Sequence, residues 1–491
     1  MSKGAPFQDL SLPMPGSNQE KWRWLYHELR KAIVDGRLKR GSKLPSSRSL
    51  AEQYDLSRGT VVTAFQQLRL EGYIRGVTGA GTYVATGLPE PPSALPQKHA
   101  VQQLLRSSAS LPQNVQKIYV ASSVMPGSRS IGKAFRAHEP AIDLFPVELW
   151  ARIASRVLRK APRALYGQGD AAGYLPLRRA IAEYIGSSRG VHCRPEQIIV
   201  TSGAQQALDL IARLLIEPQS PMWMEDPGYP GAIRAFQAAG AKIVPVPVDD
   251  QGLNVKEGCK ASGKAKLVYV TPSCQFPLGM TMSADRRLEL LTWASEAGAW
   301  IIEDEFDAEY RYFGRPVPAL QSVDQLGSVI YVGTFTKMLF NAIRIGFVIV
   351  PERIVDTFVA AKSYLDRHSP TLDQAILAEF ITEGHFGQHV RKMRLVYAER
   401  LTVLREESRR ILGNRMEVVN AATGMRTVAW LKGHLSEASV VQRARGLGLE
   451  LSGLSVYAMK HAPAPGLMLG FAGCNPRELR RGISVLASAL E

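Results

Sequence analysis

Val332-Gly333-Thr334-Phe335-Thr336-Lys337 is an apolar run that breaks into threonines and a lysine, and Arg344 follows Lys337 by seven residues. Such a run reads as a buried strand whose exit delivers an amine into a pocket rather than into solvent. Thirty-three residues before Lys337, a second apolar run, Ala299-Trp300-Ile301-Ile302-Glu303, ends at Asp304. A carboxylate at a strand's C-terminal end projects into the crevice where α/β proteins hold ligands. Amine, carboxylate and arginine together answer the needs of one cofactor, pyridoxal 5'-phosphate (PLP). Its aldehyde takes an amine as a Schiff base, its ring nitrogen stays protonated beside a carboxylate, and its phosphate needs a cation and hydroxyls.

Other stretches supply the rest of such a site. Thr201-Ser202-Gly203-Ala204-Gln205 follows a strand-like run and opens a helical one, so Ser202, Gly203 and Ala204 offer a hydroxyl and backbone donors at a helix N-terminus. The same pattern also suits a plain helix cap. Arg344, Thr334 and Thr336 would complete a phosphate cup. Tyr229, in Glu225-Asp226-Pro227-Gly228-Tyr229, is placed either to stack on the ring or to fill the core. Glu303, Glu305 and Asp307 compete with Asp304 for the ring nitrogen.

From about Ala141 onward, short apolar runs at 197–200, 221–224, 243–246, 267–270, 300–303, 330–332 and 346–350 alternate with helical patterns such as 204–215, 231–239 and 284–297. That alternation predicts a mostly parallel α/β sheet. Long helices follow Pro351 to about Leu412, and a smaller α+β segment fills the rest.

The front of the chain is different. Residues 1–86 hold 13 Lys/Arg against 7 Asp/Glu, and the whole chain carries a net charge of +16, which favours a polyanionic partner. Leu25, Leu29 and Ile33 recur at helical spacing with Trp22 and Tyr26 beside them, and Gly36 ends the pattern. Ser46 or Ser47 caps a second helix, and Ser57 caps a third that carries Val61, Phe65 and Leu68 and closes at Gly72. Tyr73-Ile74 and Thr82-Tyr83-Val84 read as two short strands, with Gly76, Gly79 and Gly81 between them. Three helices and a two-stranded wing make a winged helix-turn-helix. The third helix opens Ser57-Arg58-Gly59-Thr60, which presents a guanidinium, hydroxyls and backbone N–H groups to a major groove, while Arg48 faces the DNA backbone.

Between the two regions, Pro89, Pro91, Pro92 and Pro96 precede Gln- and Ser-rich sequence, which reads as a linker. The expected division is a DNA-binding domain at 17–86, a linker at 87–139 and a PLP-binding body at 140–491, with a small subdomain at 415–491. The four cysteines, Cys193, Cys259, Cys274 and Cys474, form no metal-ligand spacing, so no metal is expected. The N-terminus has no apolar signal segment and no stretch reaches membrane-spanning length, so a cytoplasmic protein is expected.

The blocks Leu44-Pro45-Ser46-Ser47-Arg48, Leu56-Ser57-Arg58-Gly59-Thr60-Val61-Val62, Leu68-Arg69-Leu70-Glu71-Gly72-Tyr73-Ile74 and Gly79-Ala80-Gly81-Thr82-Tyr83-Val84 resemble the GntR-family winged helix. The resemblance implies that Arg48, Ser57, Arg58, Thr60 and the Gly79–Gly81 turn contact operator DNA, although Val77 stands where this subgroup often has an arginine. The body resembles fold-type-I aminotransferases, and the whole chain resembles the MocR subfamily, which fuses the two. Glu225–Tyr229, Val270–Pro277, Ile302–Tyr312 and Tyr331–Arg344 carry that match. It implies that Lys337 bears the Schiff base, Asp304 pairs with the ring nitrogen, Tyr229 stacks, and Tyr166 reaches the phosphate of a partner subunit in a homodimer.

Three departures stand out. Phe306 replaces a tyrosine, Cys274 replaces a histidine, and Met468 sits where aminotransferases commonly place an arginine for the substrate carboxylate. Arg426 is a conceivable substitute, but a lone strand arginine reads first as a solvated charge. The expected function is a PLP-dependent DNA-binding transcription regulator that senses PLP or an amine or amino-acid effector. The alternative is a working aminotransferase with an autoregulatory head. The departures at Phe306 and Met468 weigh against turnover, while the presence of Asp304, Lys337 and Arg344 weighs against a regulator that has lost PLP.

Overall fold

The computed structural model describes Leu12 and residues 20–87, 134–314 and 317–491. The chain divides into two compact units, Met1–Leu111 and Pro112–Glu491. The linker expected at 87–139 lies outside the described residues over 88–133, as do residues 17–19 of the expected head.

The first unit is the three-helix winged domain. Helix α1 (Lys21–Val34) buries Leu25, Leu29 and Ile33 against α3 (Arg58–Leu70), whose inner face is Val61, Ala64, Phe65 and Leu68. Trp24, rather than Trp22, enters this core, where it meets Tyr54 edge-on at 5.7 Å. A 3.6-residue period places Trp24 next to the Leu25 stripe, while Trp22 stays half-exposed under Arg23. Helix α2 (Ser47–Gln53) is capped by Ser46, which accepts from Ser49 N, and Ser57 caps α3 by accepting from Thr60 N at 3.1 Å. Strands β1 (Ile74–Val77) and β2 (Gly81–Val84) pair antiparallel as the wing.

The second unit is built on an eight-stranded sheet. Its strands are β3 (Ile198–Thr201), β4 (Pro221–Asp226), β5 (Lys242–Asp249), β6 (Gly252–Leu253), β7 (Leu267–Val270), β8 (Trp300–Glu305), β9 (Val329–Thr334) and β10 (Gly346–Ile349). Their order is β3-β10-β9-β8-β7-β4-β5-β6. The central run from β9 to β5 is parallel, while β10 and β6 run antiparallel to their neighbours. Parallel neighbours need crossovers, and helices such as Ala204–Leu215 and Ala284–Ala297 supply them. They cover both faces, so β3, β7, β9 and β10 are buried along their whole length.

A second, antiparallel sheet has the order β11-β12-β14-β13, formed by Met416–Val418, Arg426–Leu431, Gly466–Gly470 and Ser452–Gly453 respectively. Helices His385–Leu412 and Pro476–Ala489 pack with it in one core. Residues 134–139, expected to be linker, belong to this subdomain. Phe135 is fully buried, bridges Gly470, and accepts from Gly470 N at 2.9 Å. A single buried phenylalanine in a segment with no periodicity leaves no pattern to read, which is why the boundary shifts.

Candidate functional site

The sheet register brings the predicted groups to one edge. Asp304, on β8, is level with Val332 of the neighbouring β9, and both strands run out toward the same end. Because β10 is antiparallel, its first residue, Gly346, lies level with Thr201 and Thr334, the last residues of β3 and β9. Arg344, Ser202, Thr336 and Lys337 therefore emerge together at the C-terminal ends of the parallel strands, where open α/β sheets hold ligands.

Four carboxylates cluster at the end of β8, and their partners separate them. Glu303 accepts from the backbone N–H groups of Leu320 and Gln321. Glu305 pairs with Arg189 at 3.2 Å, and Asp307 with Arg426 at 3.2 Å. Asp304 differs in having neither an arginine nor a backbone N–H as a partner among the described residues. Its Oδ2 accepts from Tyr269 OH at 2.7 Å. Its Oδ1, like Glu305 Oε1 and Asp307 Oδ1, is buried with no hydrogen-bond partner among the described residues. Burial pushes the Asp304 carboxyl up to about 7, against the opposing pull of the Tyr269 hydrogen bond. A buried carboxylate oxygen with nothing to accept from awaits a donor, and a protonated ring nitrogen is such a donor.

Lys337 donates to His138 O at 3.0 Å and Asn341 Oδ1 at 3.3 Å. Burial first, then the charge of Arg344, pushes its amine down from 10.5 to about 8. His138 and Asn341 were not anticipated. His138 fell inside the expected linker, and its ring is held neutral, well below the usual histidine range, first by burial and then by Arg426 and Lys337. Tyr269 was also missed, although a tyrosine inside a fully buried strand needs a partner for its hydroxyl.

Arg344 sits in the left-handed region at φ 49° and donates through Nη2 to Ser202 O at 3.0 Å. Gly203 has φ 80°, and a Cβ there would meet Arg344 Nη2 at 2.9 Å. Gly346 is equally constrained, since a Cβ would lie 2.7 Å from Gly203 C. Two glycines thus let the guanidinium approach the start of helix Ala204–Leu215, which has no side-chain cap on its N–H groups. Among the described residues Thr336 Oγ1 is buried with no hydrogen-bond partner, and Thr334 Oγ1 accepts from Thr336 N at 3.2 Å. This loop, cation and hydroxyl set suits an anion such as a phosphate. Tyr229 lies half-buried, edge-on to Phe276 at 5.5 Å, and burial, then Asp304, pushes its phenol up to about 12. Tyr166 is not drawn into this set. It is 60% exposed, and its hydroxyl donates to Leu158 O.

Arg426 overturns its expectation as a solvated charge. Only 3% of it is exposed, and its guanidinium lies 4.7 Å from the Phe276 ring and 4.9 Å from that of Phe306. Cys274 is buried next to Asp307, which contributes to raising its thiol. Met468 is buried in an apolar cluster with Phe276, Val428 and Leu454.

In the head, Arg48 and Arg58 are exposed, as are Gly79 and Gly81 of the wing turn, at φ 75° and 116°. Ser57 Oγ and Thr60 Oγ1 lie 2.8 Å apart, so both hydroxyls already serve the start of α3. Among the described residues, Arg58 is the exposed side chain of that turn with no hydrogen bond or ion pair, and base reading is the role expected of it. Arg58→Ala is expected to weaken binding to DNA selected by the wild-type protein by about 1–3 kcal/mol, with preference relaxed at one base pair, measured by competitive gel shift.

Residues 141–486 match the family described as aminotransferase class I and II, and residues 23–84 match bacterial regulatory proteins, gntR family. The chain is 41% identical to the probable rhizopine catabolism regulatory protein MocR of Rhizobium meliloti, over 95% of this chain and 93% of that one. It is 30% identical to the HTH-type pyridoxine biosynthesis transcriptional regulator PdxR of Corynebacterium glutamicum, over 95% of each. Among solved structures, the kynurenine aminotransferase of Pyrococcus horikoshii, in complex with PMP, matches at a TM-score of 0.69 and 25% identity, covering 80% of this chain and 98% of that one. The body therefore has the fold-type-I PLP-enzyme architecture, with the mostly parallel large sheet and small antiparallel sheet described above. No helix among the described residues is long and apolar enough to cross a membrane. With a gntR-type head for binding DNA, an aminotransferase-like body and near full-length similarity to named regulators, the chain belongs to the MocR subfamily of GntR-family transcription regulators.

Proposed function

We propose that the body holds PLP and that an amine effector, acting there, sets the affinity of the head for operator DNA. The observation that carries this reading is a half-buried lysine amine, pushed down to about 8 chiefly by burial, at the same strand ends as Asp304, whose Oδ1 has no hydrogen-bond partner among the described residues. When bound, PLP supplies an aldehyde that condenses with primary amines. Lys337 supplies the resident amine, and its lowered pKa keeps a useful fraction neutral near pH 7.5. Asp304 holds a proton on the ring nitrogen, with Tyr269 fixing the carboxylate's orientation. Arg344, Thr336 and the Ala204 N–H would grip the phosphate, Gly203 leaving room for Arg344 at that turn, while Ser202 would add a hydroxyl and Tyr229 would cover a ring face. Exposed Tyr166 belongs with the phosphate of the partner subunit in a homodimer.

Regulation then follows from differential affinity. An effector that displaces Lys337 shifts the protein between two states only by as much as it prefers one of them. Phe306 and Met468 in place of a tyrosine and an arginine favour binding over turnover. The test is an operator gel shift with the PLP-loaded protein. Its mobility pattern is expected to change on adding an amine, with no keto product formed from any amino donor tried. Steady transamination together with amine-independent DNA binding would favour an enzyme instead.

A further inference from the structure

Among the described residues, Lys362 is the one lysine buried completely, at 0% exposure. Its Nζ donates to Asp366 Oδ1 at 2.6 Å, one helical turn on, and to Ser369 Oγ at 3.2 Å. A lysine is taken wholly out of water only where it is paired. The partner is costly to hold in its place. Asp366 is the last residue of helix Val355–Asp366, where the helix dipole disfavours a carboxylate. Arg367 then takes φ 64° and ψ −67°, and His368 N donates to Asp366 O at 2.7 Å. That is a γ-turn of the strained hand, which persists only where its surroundings impose it.

The other oxygen of Asp366 leads to the phosphate cup. Oδ2 accepts from Gln206 Nε2 at 2.8 Å, and Gln206 Oε1 accepts from Ser202 N at 2.7 Å. Gln206 is the third residue of helix Ala204–Leu215, so its amide folds back over the turn that precedes the helix. A carboxylate only accepts and a backbone N–H only donates, so Asp366 decides which way that amide faces. Ser202 is thereby held from both sides, because its carbonyl accepts from Arg344 Nη2 at 3.0 Å. Hydrogen bonds thus run without a break from Lys362 through Asp366, Gln206 and Ser202 to Arg344. Lys337 hangs from other partners, His138 O and Asn341.

We propose that Asp366, seated by Lys362, is a positioning residue for the cofactor's phosphate: through Gln206 it fixes Ser202 and, with it, the Arg344 guanidinium. The proposal rests on the PLP reading above. A binding group serves only when held within about 0.5 Å of its working place, and a turn before a helix does not hold itself that closely. The chain of bonds ends at the phosphate and bypasses the amine, so its loss weakens the grip on phosphate and spares capture of the aldehyde.

Two cofactors separate those effects: PLP, and pyridoxal, which keeps the ring and aldehyde but lacks the phosphate. Each is titrated into full-length apo protein and followed by visible absorption, and the quantity read is the ratio of the two affinities. A loosened fold lowers both affinities together and leaves the ratio alone. Gln206→Met, at a half-buried position on the first turn of a helix, breaks the chain and is expected to lower the ratio about tenfold. The double variant Lys362→Met with Asp366→Leu replaces the pair by apolar groups, an exchange that interiors commonly accept, and is expected to lower it as far. All three substitutions together are expected to lower it no further, since they cut one chain. A wild-type ratio in Gln206→Met, or in a folded pair variant, overturns the proposal, as does a fall in both affinities in step. Should the pair variant not fold, Gln206→Met decides alone. Wild-type protein that binds PLP no better than pyridoxal, or binds neither, sinks the parent reading instead.

Discussion

Lys337→Ala protein, treated with PLP and then borohydride, is expected to carry no covalent pyridoxyl label, where the wild type is labelled stoichiometrically. Lys337 follows β9 at the strand ends it shares with Asp304 on β8, within electrostatic reach of Arg344, and is the amine assigned to the cofactor. The loss should not be a folding defect. Burial already disfavours the charged form of Lys337, and removing a desolvated cation relieves the enclosure rather than breaking it. Operator binding should survive, because the head's core of Leu25, Leu29, Phe65 and Leu68 is built within residues 20–87. What should vanish is the response of DNA binding to amines. The wild type adds a pH signature. The neutral amine is the nucleophile, so PLP capture by the apo protein should rise with pH around a midpoint near 8. At pH 7.5 about a quarter of the amine is neutral, against roughly 0.1% for an ordinary lysine. A midpoint near 10, or labelling that persists in Lys337→Ala, would show that the reactive amine lies elsewhere.

What the sequence discloses about this site follows from how each group is placed. Lys337 and Asp304 end long apolar runs, and a strand leaves one strong signal at its exit, so both were readable together with the parallel sheet. Asp304 could not be told from Glu303, Glu305 and Asp307 by pattern. Only their partners separate them, and those lie far along the chain, at Leu320, Arg189 and Arg426. Arg426 was misread for a related reason. A charge in a short strand normally faces solvent, and nothing local announces that Phe276 and Phe306 enclose it. His138 was beyond reach, since it acts through a backbone carbonyl, which any residue supplies. In the head, by contrast, caps and periodicity are local, and Ser46, Ser57 and the Leu25 stripe appear where the pattern puts them.

Asp304→Asn is expected to weaken PLP binding by about 3–5 kcal/mol, at least a hundredfold in dissociation constant, read by titrating apo protein with PLP. The amide keeps an oxygen for Tyr269 OH, so the local hydrogen bond at 2.7 Å has a substitute and the fold is retained. It cannot offer an anion to a protonated ring nitrogen, and leaving that charge buried without a counterion is the dominant loss. Stability of the apo protein should move the other way. The folded-state pKa of Asp304 is raised to about 7 from 3.8, chiefly by burial. Folding with the proton bound is therefore favoured fully below about 4, and that advantage is lost as pH rises through 7. Above pH 7 the wild-type apo protein holds an ionised, half-partnered carboxylate that the asparagine variant lacks. Apo Asp304→Asn should thus melt at or above the wild-type temperature at pH 8, with the difference fading toward pH 4. PLP should reverse the order at pH 8 by stabilising the wild type more strongly. A variant that melts lower in the apo state at pH 8, yet binds PLP as the wild type does, would recast Asp304 as a structural carboxylate and leave the ring nitrogen without its counterion.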